Sequence, residues 1–147
     1  MRGQAAAAAA GAACVVALVS GVLQGQAPER RTAARDAVYT AVQASRGSDQ
    51  YATACAHCHA TDLQGDVRKE IPSLAEGDFL VRWANRSLGE LYGVISKDMP
   101  ADRKGSLSPR AYADIVAYIL SVNGFPAGAA ELPADPAALA PVTVGTK

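Results

Sequence analysis

The chain is sparing with the side chains that bind metals or cross-link: its 147 residues include three cysteines, two histidines and two methionines. A structural zinc site needs four ligands, usually as two pairs. Outside the cluster Cys55, His57, Cys58 and His59 only Cys14 remains, so the second pair is missing. Neither sign of charge is in excess, since fourteen Lys and Arg face fourteen Asp and Glu. That balance offers no basic footprint for nucleic acid. No convincing strand run is present either, which removes the strand–helix–strand setting of a dithiol redox motif. Internal repeats are absent as well.

What remains is concentrated. Cys55-Ala56-His57-Cys58-His59 spells Cys-x-x-Cys-His, the attachment pattern of a c-type haem. Two thiols three residues apart can each add to one vinyl group of a porphyrin, while the adjacent imidazole is carried to the iron. Cys55, Cys58 and His59 are therefore the expected cofactor-binding residues, with His59 an iron ligand and one haem c per chain. His57 is expected on the solvent side, without a ligand role.

The start of the chain reads as an address. Met1-Arg2 precedes an apolar stretch from Ala5 to Leu23 and small residues at Gly25 and Ala27, the layout of a secretory signal peptide over 1–27. The stretch is long for a signal, so an uncleaved membrane anchor competes with it. A lipoprotein reading through Cys14 is disfavoured by Gly11 and by the apolar residues that follow the cysteine. Export and the motif agree, because bacterial thioether attachment takes place outside the cytoplasm. With the leader set aside, the two remaining cysteines both lie in the motif and no disulfide framework is available. A linker over 28–37, one domain over 38–133 and a Pro/Ala-rich, disordered tail over 134–147 complete the expected organisation.

Helical signals fill the domain. Thr40 with Gln43 reads as a capping box opening a helix from Ala41 to about Thr53 that delivers Cys55. Gly47 inside it costs about 1 kcal/mol relative to alanine, which suggests close approach by another backbone. A short helix from about Asp78 to Ala84 carries Phe79 and Trp83. Ser87 with Glu90 caps a further helix bearing Leu88, Leu91, Tyr92 and Ile95. Ser108, Pro109 and a Leu107–Tyr112 staple open the last one, whose Tyr112, Ile115, Val116, Ile119 and Leu120 form one apolar stripe ending at Asn123-Gly124.

Apart from the initiator, Met99 is the only methionine, and hence the natural sixth ligand of the iron. Pro100 disfavours helix at Met99, consistent with an extended loop. An ordinary core methionine, and a vacant or lysine-ligated iron, are the competing readings.

From about Val38 to Leu132 the chain resembles a monohaem class I cytochrome c. The resemblance is carried by Gly47 and Tyr51, the Cys55–His59 motif, Pro72 with Leu74, Met99-Pro100 and the closing helix around Tyr118. It implies an all-α fold with four or so helices packed around one covalently attached haem, and a crossing of first and last helices at Gly47, Tyr51, Ile115 and Tyr118. It also implies that Met99 is the ligand and that the Pro72 carbonyl accepts the N–H of the His59 ring, against a bland reading of Pro72 as a loop residue. Trp83 is expected either to touch haem or a propionate, or simply to fill the core.

His59 and Met99 on both axial positions leave no open site on iron and raise its potential. The expectation is a periplasmic one-electron carrier rather than an enzyme, docking weakly on redox proteins such as a dehydrogenase donor and an oxidase or other cytochrome acceptor. One alternative is a dedicated haem subunit of an exported quinoprotein or molybdenum dehydrogenase. A haem gas sensor or peroxidase-like enzyme is the other, and it requires Met99 to leave the iron.

Overall fold

A computed structural model describes residues 32–145. Six helices appear in chain order: α1 (Ala41–Ala54), α2 (Ala56–His59), α3 (Glu76–Trp83), α4 (Leu88–Asp98), α5 (Pro109–Val122) and α6 (Pro136–Leu139). Short 3-10 turns occupy Ala34–Asp36 and Val67–Lys69. Among the described residues there are no strands, only isolated bridges, so the fold is all-α. No helix among them is long and apolar enough to cross a membrane. The leader expected over 1–27 lies outside the described residues.

The first and last long helices form the main contact. A Cβ on Gly47 would overlap the Asp114 carbonyl oxygen and stand 2.9 Å from Tyr118 Cβ, so only glycine lets the two backbones come this close. Tyr51 and Tyr118 pack beside it with ring centroids 5.4 Å apart, and Ile115 is buried. Arg46 closes the same crossing, donating to Asp114 Oδ2 and Oδ1 at 2.9 and 2.8 Å and to Glu131 at 2.9 Å. The two carboxylates hold the guanidinium pKa above its ordinary value.

Helix starts follow the capping signals, with one exception. Ser87 and Glu90 form the reciprocal box at α4, and Ser108 accepts from Ala111 N at α5. At α1, Thr40 accepts from Gln43 N, but the Gln43 side chain does not return the bond. It is buried and clamps Leu132 instead, donating to its carbonyl at 3.1 Å and accepting from its N–H at 2.7 Å. A buried amide satisfied on both ends outweighs an exposed cap. The short third helix begins at Glu76, two residues earlier than its sequence signals indicate.

The segment after α5 corrects the expected disordered tail. Gly124 takes φ 76° and lets Phe125 N donate to Leu120 O, which turns the chain back on itself. Tyr39 donates its hydroxyl to Phe125 O at 2.5 Å. Beyond Ala134, Asp135 caps α6, Leu139 and Val144 are fully buried, and Thr143 bridges both Ala33 and Ser87. Residues 32–37, expected as a linker, are fixed by the same contacts, with Ala34 N donating to Thr143 O at 2.8 Å. Composition misleads here because two apolar anchors, Leu139 and Val144, and main-chain bonds suffice to order the tail.

Candidate cofactor site

The short helix α2 is set by its neighbours' backbone. Cys55 N donates to Tyr51 O, and His59 N donates back to Cys55 O at 2.9 Å. This continues α1 into the Cys-x-x-Cys-His turn and brings Cys55, Cys58 and His59 to the wall of one cavity of about 520 Å³, a size usual for a small-molecule or cofactor site. Burial, and secondarily the neighbouring Cys58, pushes the Cys55 thiol up to about 11. His57 is exposed and does not line the cavity, in line with its expected place.

His59 is oriented by the loop that follows. Its Nδ1 lies 3.1 Å from Pro72 O. A carbonyl can only accept, so Nδ1 carries the proton and Nε2 keeps the lone pair. Burial lowers the imidazole pKa, opposed by the Pro72 bond, a direction that favours the neutral form a metal ligand requires. The loop's shape depends on Gly65, at φ 69°. A Cβ there would overlap the Ile71 carbonyl oxygen and come within 2.7 Å of that of Pro72, the atom that fixes the ring. Leu74 is tied in turn by its N–H to Leu63 O at 2.8 Å and by its carbonyl to Asn123 Nδ2 at 2.9 Å.

The facing segment comes from the end of α4. Met99 is its C-terminal cap in extended conformation, φ −119° and ψ 152°, and its side chain lines the same cavity. The Tyr112 hydroxyl fastens this turn, donating to Met99 O at 2.8 Å and accepting from Leu107 N at 3.2 Å. Sequence reasoning gave Tyr112 a hydrophobic staple and a place in the apolar stripe; nothing in the pattern distinguishes an anchoring hydroxyl from a buried ring. Leu91, Ile95, Ile115 and Ile119 supply apolar walls, and Trp83 lines the cavity while remaining buried. The two expectations for Trp83 are thus compatible.

Every residue expected at the site therefore meets one cavity: Cys55, Cys58, His59, Pro72, Trp83 and Met99. The donor set fits haem c, with two thiols, one neutral imidazole, one thioether and otherwise apolar lining. Zinc is not matched, for among the described residues no three His, Cys, Asp or Glu side chains gather into a metal-binding group.

Residues 42–119, more than half of the chain, match the family profile described as cytochrome c oxidase, cbb3-type, subunit III. The chain belongs to this cytochrome c family. No curated protein and no solved structure gives a match. Membership of a cytochrome c family implies haem c as cofactor, electron transfer as the activity and redox proteins as partners. The matched region of the cytochrome begins within α1 and ends within α5, so the ordered segment 120–145 lies beyond it.

Proposed function

We propose that this cytochrome c is an exported, periplasmic one-electron carrier whose single haem is attached through Cys55 and Cys58 and ligated by His59 and Met99. The observation that carries the reading is the convergence of those four side chains, from two separate segments, on one apolar cavity. When bound, haem c supplies a reversible one-electron couple with no substrate-binding step. The residues do the rest. Cys55 and Cys58 would hold the cofactor, each S–H adding across one vinyl C=C with no leaving group, and so would tether it against loss. The Pro72 carbonyl keeps the His59 lone pair available on Nε2 and raises its basicity. Tyr112 holds the Met99 turn, donating to its carbonyl, so Met99 would be kept at the cavity wall, where its thioether would be available to the iron of a bound haem. The apolar walls exclude water, which limits rearrangement when the charge changes.

Production in a host with a haem-attachment system, followed by denaturing electrophoresis and haem staining, tests the reading. The parent band retains colour and the Cys55→Ser/Cys58→Ser band loses it. A colourless parent band contradicts the proposal.

The family description favours a second reading for the partner, in which the chain is a resident electron-transfer subunit of a larger oxidoreductase. Residues 124–133 do not support the dehydrogenase version of it, because Phe125 and Leu132 are buried against this domain and not left for a partner. Purification from periplasm under mild salt separates the two. Free monomer fits the carrier, and a stoichiometric companion fits the subunit.

A further inference from the structure

The connection from α3 to α4 is tied down from outside by the end of the chain. Leu88 N donates to Val142 O at 2.7 Å, Val144 N to Arg86 O at 2.9 Å and Gly145 N to Ala84 O at 2.9 Å. From the other side, α6 lies against α4 so closely that a Cβ on Gly89 would stand 2.5 Å from Pro136 O and 2.9 Å from Ala140 N. Leu139 and Val144 anchor the arrangement in full burial. None of these tethering residues of the tail falls within the matched cytochrome c region.

What the tethered connection carries is chemically specific. Trp83 and Arg86 both line the cavity, and the Arg86 guanidinium lies 4.3 Å from the centroid of the Trp83 ring. Arg86 Nε and Nη2 donate to Glu90 Oε1 at 3.3 and 3.2 Å, while Nη1 has no partner among the described residues. Arg82 and Glu70 are the other charged side chains lining the cavity. Haem carries two carboxylates on one edge, and a planar guanidinium with N–H donors still free on Nη1 suits a carboxylate.

We propose that residues 136–145 form a strap that holds Arg86 at the cavity rim against a carboxylate of the cofactor, and so sets the reduction potential. The inference rests on the haem reading above. A cation there disfavours the oxidised, more positive state and raises the potential. The strap acts through the main chain of the 84–88 connection, and it needs no contact of its own with the cofactor.

Redox titration of the full-length holoprotein and its variants tests the proposal. Arg86→Gln, a half-exposed site, lowers the potential by as much as about tenfold in the one-electron equilibrium, tenfold being 59 mV. Arg86→Lys restores most of the loss. Val144→Asn and Gly89→Leu, which unseat the strap without adding charge, lower the potential in the same direction, and Val144→Asn/Arg86→Gln falls no further than Arg86→Gln alone. Should either strap variant fail to load haem, Val144→Ala gives a smaller shift of the same sign. A parental potential in Arg86→Gln overturns the assignment of Arg86, and full additivity in the double variant overturns the action of the strap through it. Failure of the haem reading is distinguishable, since the parent itself would then carry no attached haem.

Discussion

The two walls of the cavity are built on different plans. The wall bearing Cys55, Cys58 and His59 is local: five consecutive residues continue α1, and the ring is steadied by a carbonyl only thirteen residues on. The wall bearing Met99 is an extended turn whose carbonyl is held by a hydroxyl from the next helix. The first wall is specified by sequence neighbours, whereas the second exists only once α4 and α5 have packed. On the proposed function, damage to the first wall should cost attachment and ligation outright. Damage to the second should loosen a ligand while the cofactor stays tethered.

The largest effect should come from removing what both walls share. Gly47→Leu drives a side chain into the Asp114 carbonyl at the α1–α5 crossing, and is expected to destabilise by about 3 kcal/mol or more. Thermal or denaturant unfolding followed by haem absorbance measures it. A parental midpoint would mean that the crossing does not hold the walls together.

The next change separates the walls. Gly65→Ala places an alanine at φ 69° and against the Ile71 and Pro72 carbonyls, at a cost of about 1–3 kcal/mol. As the Pro72 bond to His59 lengthens, the imidazole becomes a weaker donor and the potential rises. The weak red-edge absorption band expected of an oxidised, methionine-ligated haem should persist, and its loss would show that the walls are not independent.

Tyr112→Phe reverses the experiment with a smaller cost, about 1 kcal/mol for a lost hydrogen bond. The ring remains packed, at 6.5 Å from Tyr92, but the Met99 turn loses its fastening. The reduced protein should bind carbon monoxide faster than the parent while haem attachment and the His59 environment stay unchanged. Equal rates in both proteins would remove Tyr112 from the account.

The contrast also explains what could be read without coordinates. The meeting of Cys55, Cys58, His59 and Met99 at one cavity was legible because these are scarce residue types, three of them in one short pattern, and the Gly47 crossing was legible from a glycine inside a helix together with the family resemblance. Helices α1, α4 and α5 were legible from caps and apolar stripes. The roles of Tyr112 and Gln43 were not, because a hydroxyl or amide announces its partner only after distant segments meet, and Gln43 abandoned its cap for Leu132. The tail was misread for a related reason: its order rests on main-chain bonds from Val142, Val144 and Gly145 to the 84–88 connection, which leave no side-chain signature.

Coordination by Met99 is the central claim, and the oxidised spectrum of the parent beside Met99→Ala tests it most directly. The account predicts a weak red-edge methionine-to-iron band in the parent and its loss in the variant, together with a lower potential and newly gained binding of carbon monoxide by the reduced form. A parent that lacks the band and binds carbon monoxide rapidly would contradict a closed His59/Met99 site, and with it the assignment of the chain as an electron carrier.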